Sequence, residues 1–358
     1  MKHIPHLYGT FGPSCASEEI IHKLFLAGMT GMRLNLSHTT LEEASEWLSM
    51  YHRVAERMHL APELLVDLQG PELRIGTLPD SLVLSEKDLV FLIREDDLTR
   101  IHEPGDLLTK IAGDREDFSV IPCPSILFSY LEEGQTVCLN DGKITLSVCS
   151  ALEDGIFCGE VRTGGELSSR KSIAIEGLSI PLPTLTKKDR ENLKLLRKFR
   201  VTGVMLPFVK TADDLINLKN ELRADHMDYV RIFAKIESME GVNNLPSFLP
   251  FCDEVIIARG DLGNAIPLSK LPALQKKISM LCLRARKPFM VVTQLLASME
   301  TNPVPTRAEV TDIFQAVTDG ASSLMLTGET AVGHYPAEAM QMLSDTAFEA
   351  LRFLRLRE

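Results

Sequence analysis

Arg231-Ile232-Phe233-Ala234-Lys235-Ile236-Glu237 and, further on, Val255-Ile256-Ile257-Ala258-Arg259-Gly260-Asp261 share one plan: a short apolar run that ends in charge. Strands of a parallel sheet that are buried on both faces read as nearly continuous apolar runs, and the residues at their C-terminal ends are where such folds place their chemistry. Lys and Asp are seldom set beside a core without a partner or a task. Two such exits in succession therefore point at one site.

Working outward, six further short apolar runs lie near His6 to Phe11, Gly31 to Leu34, Glu63 to Asp67, Gly203 to Leu206, Phe289 to Thr293 and Ser322 to Leu326. Helix-period segments separate most of them, the alternation of βα units. Eight strands with intervening helices predict an α/β fold, a closed (β/α)8 barrel. The last helix opens with Pro336 in its first turn and sets Met340, Leu343, Ala347, Leu351 and Leu354 on one face. Between Ile75 and about Ser168 the texture changes to short β-type runs broken by Gly, Pro and Asp, with an Asp141-Gly142 pair suited to a tight hairpin turn. The expected organisation is a barrel built from residues 1–75 and 169–358, with a β-rich lid domain, 76–168, inserted after the third strand.

The 358 residues suffice for one large barrel plus an inserted module, and the 45% hydrophobic and 24% charged content is that of a soluble globular chain. No apolar run approaches a membrane span, and the start, with His3, Pro5 and His6, lacks the pattern of a signal peptide. A cytoplasmic location without membrane contact is expected. The seven scattered cysteines contain no CxxC pair, which disfavours both a disulfide framework and a zinc site. A net charge of −11 disfavours nucleic acid as a partner, while a local cluster of Arg and Lys can still bind a phosphorylated small molecule.

The strand exits carry groups that phosphate-and-metal chemistry uses. The first runs Thr10-Phe11-Gly12-Pro13-Ser14, the second Arg33-Leu34-Asn35-Leu36-Ser37-His38, and the third Asp67-Leu68-Gln69-Gly70-Pro71-Glu72-Leu73-Arg74. Lys235-Ile236-Glu237, Arg259-Gly260-Asp261-Leu262-Gly263, Thr293-Gln294 and Thr327-Gly328-Glu329-Thr330 follow. In this order they resemble the pyruvate kinase family, from about Gly9 to Pro336. The resemblance implies transfer of a phosphoryl group from phosphoenolpyruvate to ADP, giving pyruvate and ATP, in glycolysis.

The residues take roles under that resemblance that their chemistry allows. Glu237 and Asp261, on adjacent strand ends, can share a Mg2+, which takes few protein oxygens; the same acids would also serve as a salt-bridged pair. Lys235 is a compact charge for a phosphoryl group in flight, or else a partner for Glu237. Arg33 and Arg74 present planar forks to phosphate oxygens, or make structural ion pairs. Gly260 lets backbone approach a ligand, and a helix starting after Asp261 would offer N–H groups to the substrate carboxylate. Thr293 helps to deliver the proton to the enolate carbon, in a relay with Thr327 and Glu329, unless these hydroxyls only cap helices.

Asn35, Ser37, Asp67 and the Leu68 carbonyl correspond to the family's K+ site. The signal there is mixed, because Leu68-Gln69 is the form of K+-independent members whereas Glu72 is that of the dependent ones. Lys171, His38, Asn35, Asp141 and Arg74 match positions on the nucleotide side, with lid closure expected to exclude water and bring Lys171 to the phosphates. Asn264-Ala265, Val332 and His334 depart from the usual Ile-Glu, Lys and Asp. Typical members continue into a C-terminal domain with a sugar-phosphate effector site and part of the tetramer interface, so a sequence that stops at Glu358 predicts neither in that form, and a homodimer through the barrel surface is expected. Two other readings stay open: a Mg2+-dependent enolpyruvate or 2-oxoacid lyase or decarboxylase on the same barrel, and a non-catalytic phosphoenolpyruvate-binding paralogue.

Overall fold

The computed structural model describes residues 4–100, 118–140, 142–152, 155–178, 180–264 and 266–356. Sixteen strands are present among them: β1 His6–Thr10, β2 Gly31–Asn35, β3 Glu63–Asp67, β4 Leu82–Leu84, β5 Leu89–Arg94, β6 Ser119–Cys123, β7 Thr136–Leu139, β8 Ile144–Ala151, β9 Phe157–Thr163, β10 Gly165–Leu167, β11 Ile173–Ile175, β12 Gly203–Leu206, β13 Arg231–Ile236, β14 Glu254–Ala258, β15 Phe289–Val292 and β16 Ser323–Met325. Eight of them close a barrel in the order β1-β16-β15-β14-β13-β12-β3-β2, all neighbours parallel. The chain is a (β/α)8 barrel with an inserted β-rich domain.

The apolar runs hide an alternation that the barrel makes visible. On β13, Arg231, Phe233 and Lys235 are two residues apart and share a face. Phe233 packs inside with Tyr8, Leu65, Ile256, Met290 and Met325. One step below it, Arg231 pairs with Glu63 on β3 at 2.7 Å and Glu254 on β14 at 2.9 Å, with its guanidinium 4.7 Å from the Phe233 ring centroid. One step above it lies Lys235. The barrel therefore has a charged floor, an apolar middle and a charged top. The other faces of the same strands, such as Ile232, Ala234 and Ile236, meet the helices in a separate core.

The helices start where short polar side chains satisfy their first N–H groups. Ser17 accepts from the Ile20 N–H ahead of helix Glu18–Leu26, and Thr306 forms a reciprocal capping box with Glu309 ahead of helix Arg307–Thr318. The final helix, Pro336–Arg355, buries the expected face of Met340, Leu343, Ala347, Leu351 and Leu354. No helix among the described residues is long and apolar enough to cross a membrane. All seven cysteines are free thiols.

Contacts divide the chain into Met1–Pro71 with Pro183–Glu358, and Glu72–Leu182. The inserted unit thus begins before residue 76 and runs past residue 168, because β11 pairs with β7 and Arg74 bridges to Ser172. It holds a six-stranded sheet, β11-β7-β8-β9-β5-β6, a two-stranded one, β10-β4, and its own core around Leu92, Val137, Leu146 and Val161. β7 and β8 are joined after the Leu139 to Ile144 pair, with Asn140 and Gly142 in left-handed conformation. Asp141 lies outside the described residues, as does Ala265.

Candidate active site

Lys235 stands between two carboxylates at the top of the barrel. Its Nζ is 2.9 Å from Glu237 Oε1 and 3.3 Å from Asp67 Oδ1, and the three side chains are almost wholly buried. Asp67 receives Arg33 as well, whose Nε and Nη2 both donate to Oδ2 at 2.9 and 2.5 Å. The ends of β2, β3 and β13 thus supply an alternating row, Arg33, Asp67, Lys235 and Glu237, with the two cations on either side of one acid. Burial alone would depress the Lys235 pKa, but the attraction of Asp67 and Glu237 outweighs it and raises the value above the ordinary 10.5. The two carboxylates thus favour the charged ammonium.

Glu237 is held in one orientation, its Oε2 accepting from the Phe208 N–H at 2.7 Å. Phe208 takes a left-handed backbone to make this bond, with φ 55°. Oε1 faces Lys235 without a well-aligned hydrogen bond, and Asp67 Oδ1 is in the same position. Burial, with the negative charge of Asp261 adding to it, raises the Glu237 carboxyl to about 7 against the pull of Lys235. Its partner Lys235 is raised by the same ion pair, so the pair alone does not explain Glu237; the loss of solvation does.

Two conditions for a divalent cation are met here. Glu237 has a buried oxygen with spare lone pairs, and exposed Asp261 is close enough to raise its pKa. Hard oxygens of this kind, open to solvent on one side, suit Mg2+. For a monovalent cation, Asn35 lies opposite Asp67 in the β2–β3 register, Asp67 Oδ1 accepts no hydrogen bond among the described residues, and Asn35 Oδ1 accepts the Ser37 N–H at 3.1 Å. Leu68 is buried beside them, its N–H donating to Met205. Among the described residues no group of three or more His, Cys, Asp or Glu forms a metal cluster.

A pH dependence follows from Glu237. With its folded pKa above the ordinary 4.5, the protonated acid is the form the metal-free fold prefers. Its contribution to stability is complete below about 4.5 and is lost as pH rises through about 7. Metal-free protein should therefore lose Tm between about pH 5 and 8, and Glu237→Gln should flatten that segment of the curve. Added Mg2+, which needs the ionised acid, should raise Tm more at about pH 8 than at about pH 6. Equal shifts at both values would remove Glu237 from the metal set.

The helix that carries Asp261 corrects one expectation. It begins at Arg259, directly after β14, and ends at Asn264, so Asp261 lies inside its first turn rather than before it. Strand passes into helix without a loop, and Gly260 is where the next exit comes close: a Cβ there would sit 3.2 Å from Thr293 Cγ2. Thr293 and Gln294 have φ of 75° and 54°. For a β-branched residue this conformation costs about 1–3 kcal/mol and persists only where the surroundings enforce it.

Thr327 and Glu329 are joined, and Thr293 is joined to neither by a hydrogen bond among the described residues. Glu329, 1% exposed, accepts the Thr327 N–H at 2.7 Å and its hydroxyl at 3.2 Å on Oε2, and the Leu296 N–H at 3.0 Å on Oε1. The Thr327 hydroxyl caps no helix. Glu329 thus ties the seventh and eighth strand exits together through main chain.

Thr330 does the same for the first exit, its hydroxyl accepting from the Thr10 N–H at 2.7 Å, while the Thr10 hydroxyl donates to Leu326 at 2.8 Å. The sequence motifs contain these two threonines without distinguishing them from their neighbours. Gly12 makes the seam closer still, since a Cβ there would lie 2.2 Å from the Ala331 carbonyl oxygen. Its backbone is extended, so space alone is at issue. Gly12→Ala should cost about 1–3 kcal/mol in denaturant unfolding; an unchanged midpoint would show that the seam yields.

Of the nucleotide-side residues, exposed His38 follows Asn35, whose carbonyl accepts its N–H at 3.3 Å. Arg74 and Lys171 belong to the inserted unit. Arg74 pairs with Glu72 at 2.5 Å and donates to the Arg170 carbonyl at 2.9 Å, leaving Nε buried and unbonded. The Lys171 carbonyl accepts from the Ile75 N–H at 2.9 Å.

Comparison with known proteins agrees with this arrangement. The pyruvate kinase barrel domain matches residues 4–340. The pyruvate kinase of Staphylococcus epidermidis is 33% identical over 342 residues, and those of Staphylococcus saprophyticus and Staphylococcus aureus are 33% identical over 343. Each alignment covers 95% of this chain and 56% of the relative, so the chain spans a little over half the length of the curated relatives it matches. With the barrel complete and the ordered motifs gathered at its C-terminal face, the chain belongs to the pyruvate kinase family.

Proposed function

We propose that the chain transfers the phosphoryl group of phosphoenolpyruvate to ADP. The observation that carries this reading is the buried row Arg33, Asp67, Lys235 and Glu237, two fixed cations separated by one acid. Phosphoryl transfer asks a protein mainly for positioning and for charge where the transferring oxygens pass, and this row provides both. The bond from phosphorus to the enol oxygen breaks, a bond to an ADP β-phosphate oxygen forms, and the enolate of pyruvate remains. Mg2+ held by Glu237 and Asp261 would neutralise charge on the phosphoryl oxygens.

Lys235 would face the phosphoryl oxygens, with Arg33 bracketing them from the other side of Asp67. The main chain of the Gly260 turn would receive the substrate carboxylate on its N–H groups. Thr293, packed against Gly260, would direct a proton to the enolate carbon through water. Membership of the pyruvate kinase family and the inserted unit that carries Arg74 and Lys171 favour a kinase over a lyase.

The test is pyruvate formation from phosphoenolpyruvate and ADP with Mg2+, with and without K+, using purified protein and a Lys235→Met control. Mg2+-dependent turnover that disappears in the control is the expected result. Phosphoenolpyruvate binding without any phosphorylation of ADP would sink the proposal, and indifference to K+ would discard the Asn35, Ser37, Asp67 and Leu68 site.

A further inference from the structure

Thr293 stands in a conformation that its own residue type resists, and Gln294 repeats it. What meets these two residues is one side chain. Arg259 Nε donates to the carbonyls of Val292 at 3.3 Å and Thr293 at 3.2 Å, and Nη2 donates to Thr293 at 2.6 Å and Gln294 at 3.3 Å. Its remaining nitrogen, Nη1, donates to Asp312 on helix Arg307–Thr318 at 2.5 Å. Side-chain exposure at Arg259 is 12%, so these bonds form largely out of water.

Left-handed φ at two successive residues turns consecutive carbonyls towards one point. Three carbonyls so gathered repel one another unless a cation lies among them, and the planar guanidinium fork reaches all three at once. A lysine ammonium, a compact point charge, cannot span them. Asp312 supplies the counter-charge that the carbonyls lack, and its helix is tied to the same loop: Glu309 accepts the Ser298 N–H at 2.8 Å and hydroxyl at 2.5 Å.

We propose that Arg259, neutralised by Asp312, is a positioning residue that holds Thr293 in left-handed conformation with its side chain against Gly260. Arg259 then acts on the proton-delivery step through main chain and touches no reacting atom. This inference rests on the phosphoenolpyruvate kinase reading for its catalytic consequence, while the clamp itself can be judged on protein without substrate.

The experiment compares wild type, Arg259→Lys and Asp312→Asn by two independent readouts. Amide hydrogen exchange over Gln294–Leu296 in the free protein reports the clamp, and Arg259→Lys should speed it about tenfold. Deuterium incorporation into the pyruvate methyl group in D2O, with Mg2+ and ATP, reports proton delivery. A small displacement of a positioned group costs about 100-fold, so methyl exchange should fall by that factor in Arg259→Lys while phosphoenolpyruvate affinity is retained. Asp312→Asn should shift both readouts in the same direction and by less, and it carries the test if Arg259→Lys does not fold. Loosened amides with wild-type methyl exchange would overturn the positioning role, and unaltered amides in both variants would overturn the clamp. Absence of methyl exchange in wild type would count against the kinase reading, with the amide result still deciding whether Arg259 holds Thr293.

Discussion

Lys235→Met is expected to reduce phosphoryl transfer by about 10³-fold or more, the scale on which a single cation at a transferring phosphoryl group acts. Phosphoenolpyruvate should still bind, because Arg33 and the main chain at Gly260 are untouched. Stability should suffer as well, and in a pH-dependent way. Removing one member of a buried ion pair costs about 3–5 kcal/mol when its partner stays charged. Asp67 keeps Arg33 in the variant, whereas Glu237 is left with the Phe208 N–H alone. A carboxyl already raised to about 7 by burial then moves higher, since the pull of Lys235 was what lowered it. Folding of the variant should therefore be closest to wild type in acid and fall behind as pH rises through that range. Undiminished turnover would take Lys235 out of the mechanism, and a Tm difference independent of pH would show that Glu237 had found another partner.

Glu237→Gln is the second large effect. The amide oxygen can still accept from Phe208, so the side chain keeps its place, but the anionic oxygen beside Lys235 and Asp261 is gone. If Glu237 and Asp261 are the ligands, Mg2+ affinity should fall and turnover at fixed Mg2+ should drop by about 10³-fold, corresponding to the several kcal/mol of charge stabilisation a bound metal provides. Part of the loss should return at high Mg2+, with Lys235 still in place. A variant whose Mg2+ dependence matches wild type would place the ion elsewhere. The two variants are distinguishable, because only Glu237→Gln shifts the Mg2+ requirement, and only Lys235→Met leaves Glu237 as a buried acid.

Much of this protein was legible in one dimension. All eight barrel strands fall within a few residues of the short apolar runs, since a strand buried on both faces must be largely apolar and leaves polar groups such as Lys235, Asp67 and Arg33 to its ends. The face of the last helix was legible for a similar reason, a period set by one packing partner. The inserted unit's edges were not, because a strand as short as Ile173–Ile175 leaves no periodic signal and is defined by its partner Thr136–Leu139.

Spacing along the chain brought Lys235 beside Glu237, but not Asp67 between Lys235 and Arg33. That hub needs β2, β3 and β13 to converge across the barrel mouth, and sequence separation says nothing of such distances. Arg259 shows the same division. The motif that contains it was evident from sequence, whereas its hold on the carbonyls of residues 292–294 depends on a backbone twist at Thr293 that no propensity favours. What the sequence by itself determined is the order of strands, the chemical types at their ends and the family. Which of those ends meet, at what separation and with what protonation, only the closed barrel decided, because Coulomb attraction and desolvation depend on distance and burial, and both are created when the eighth strand pairs with the first.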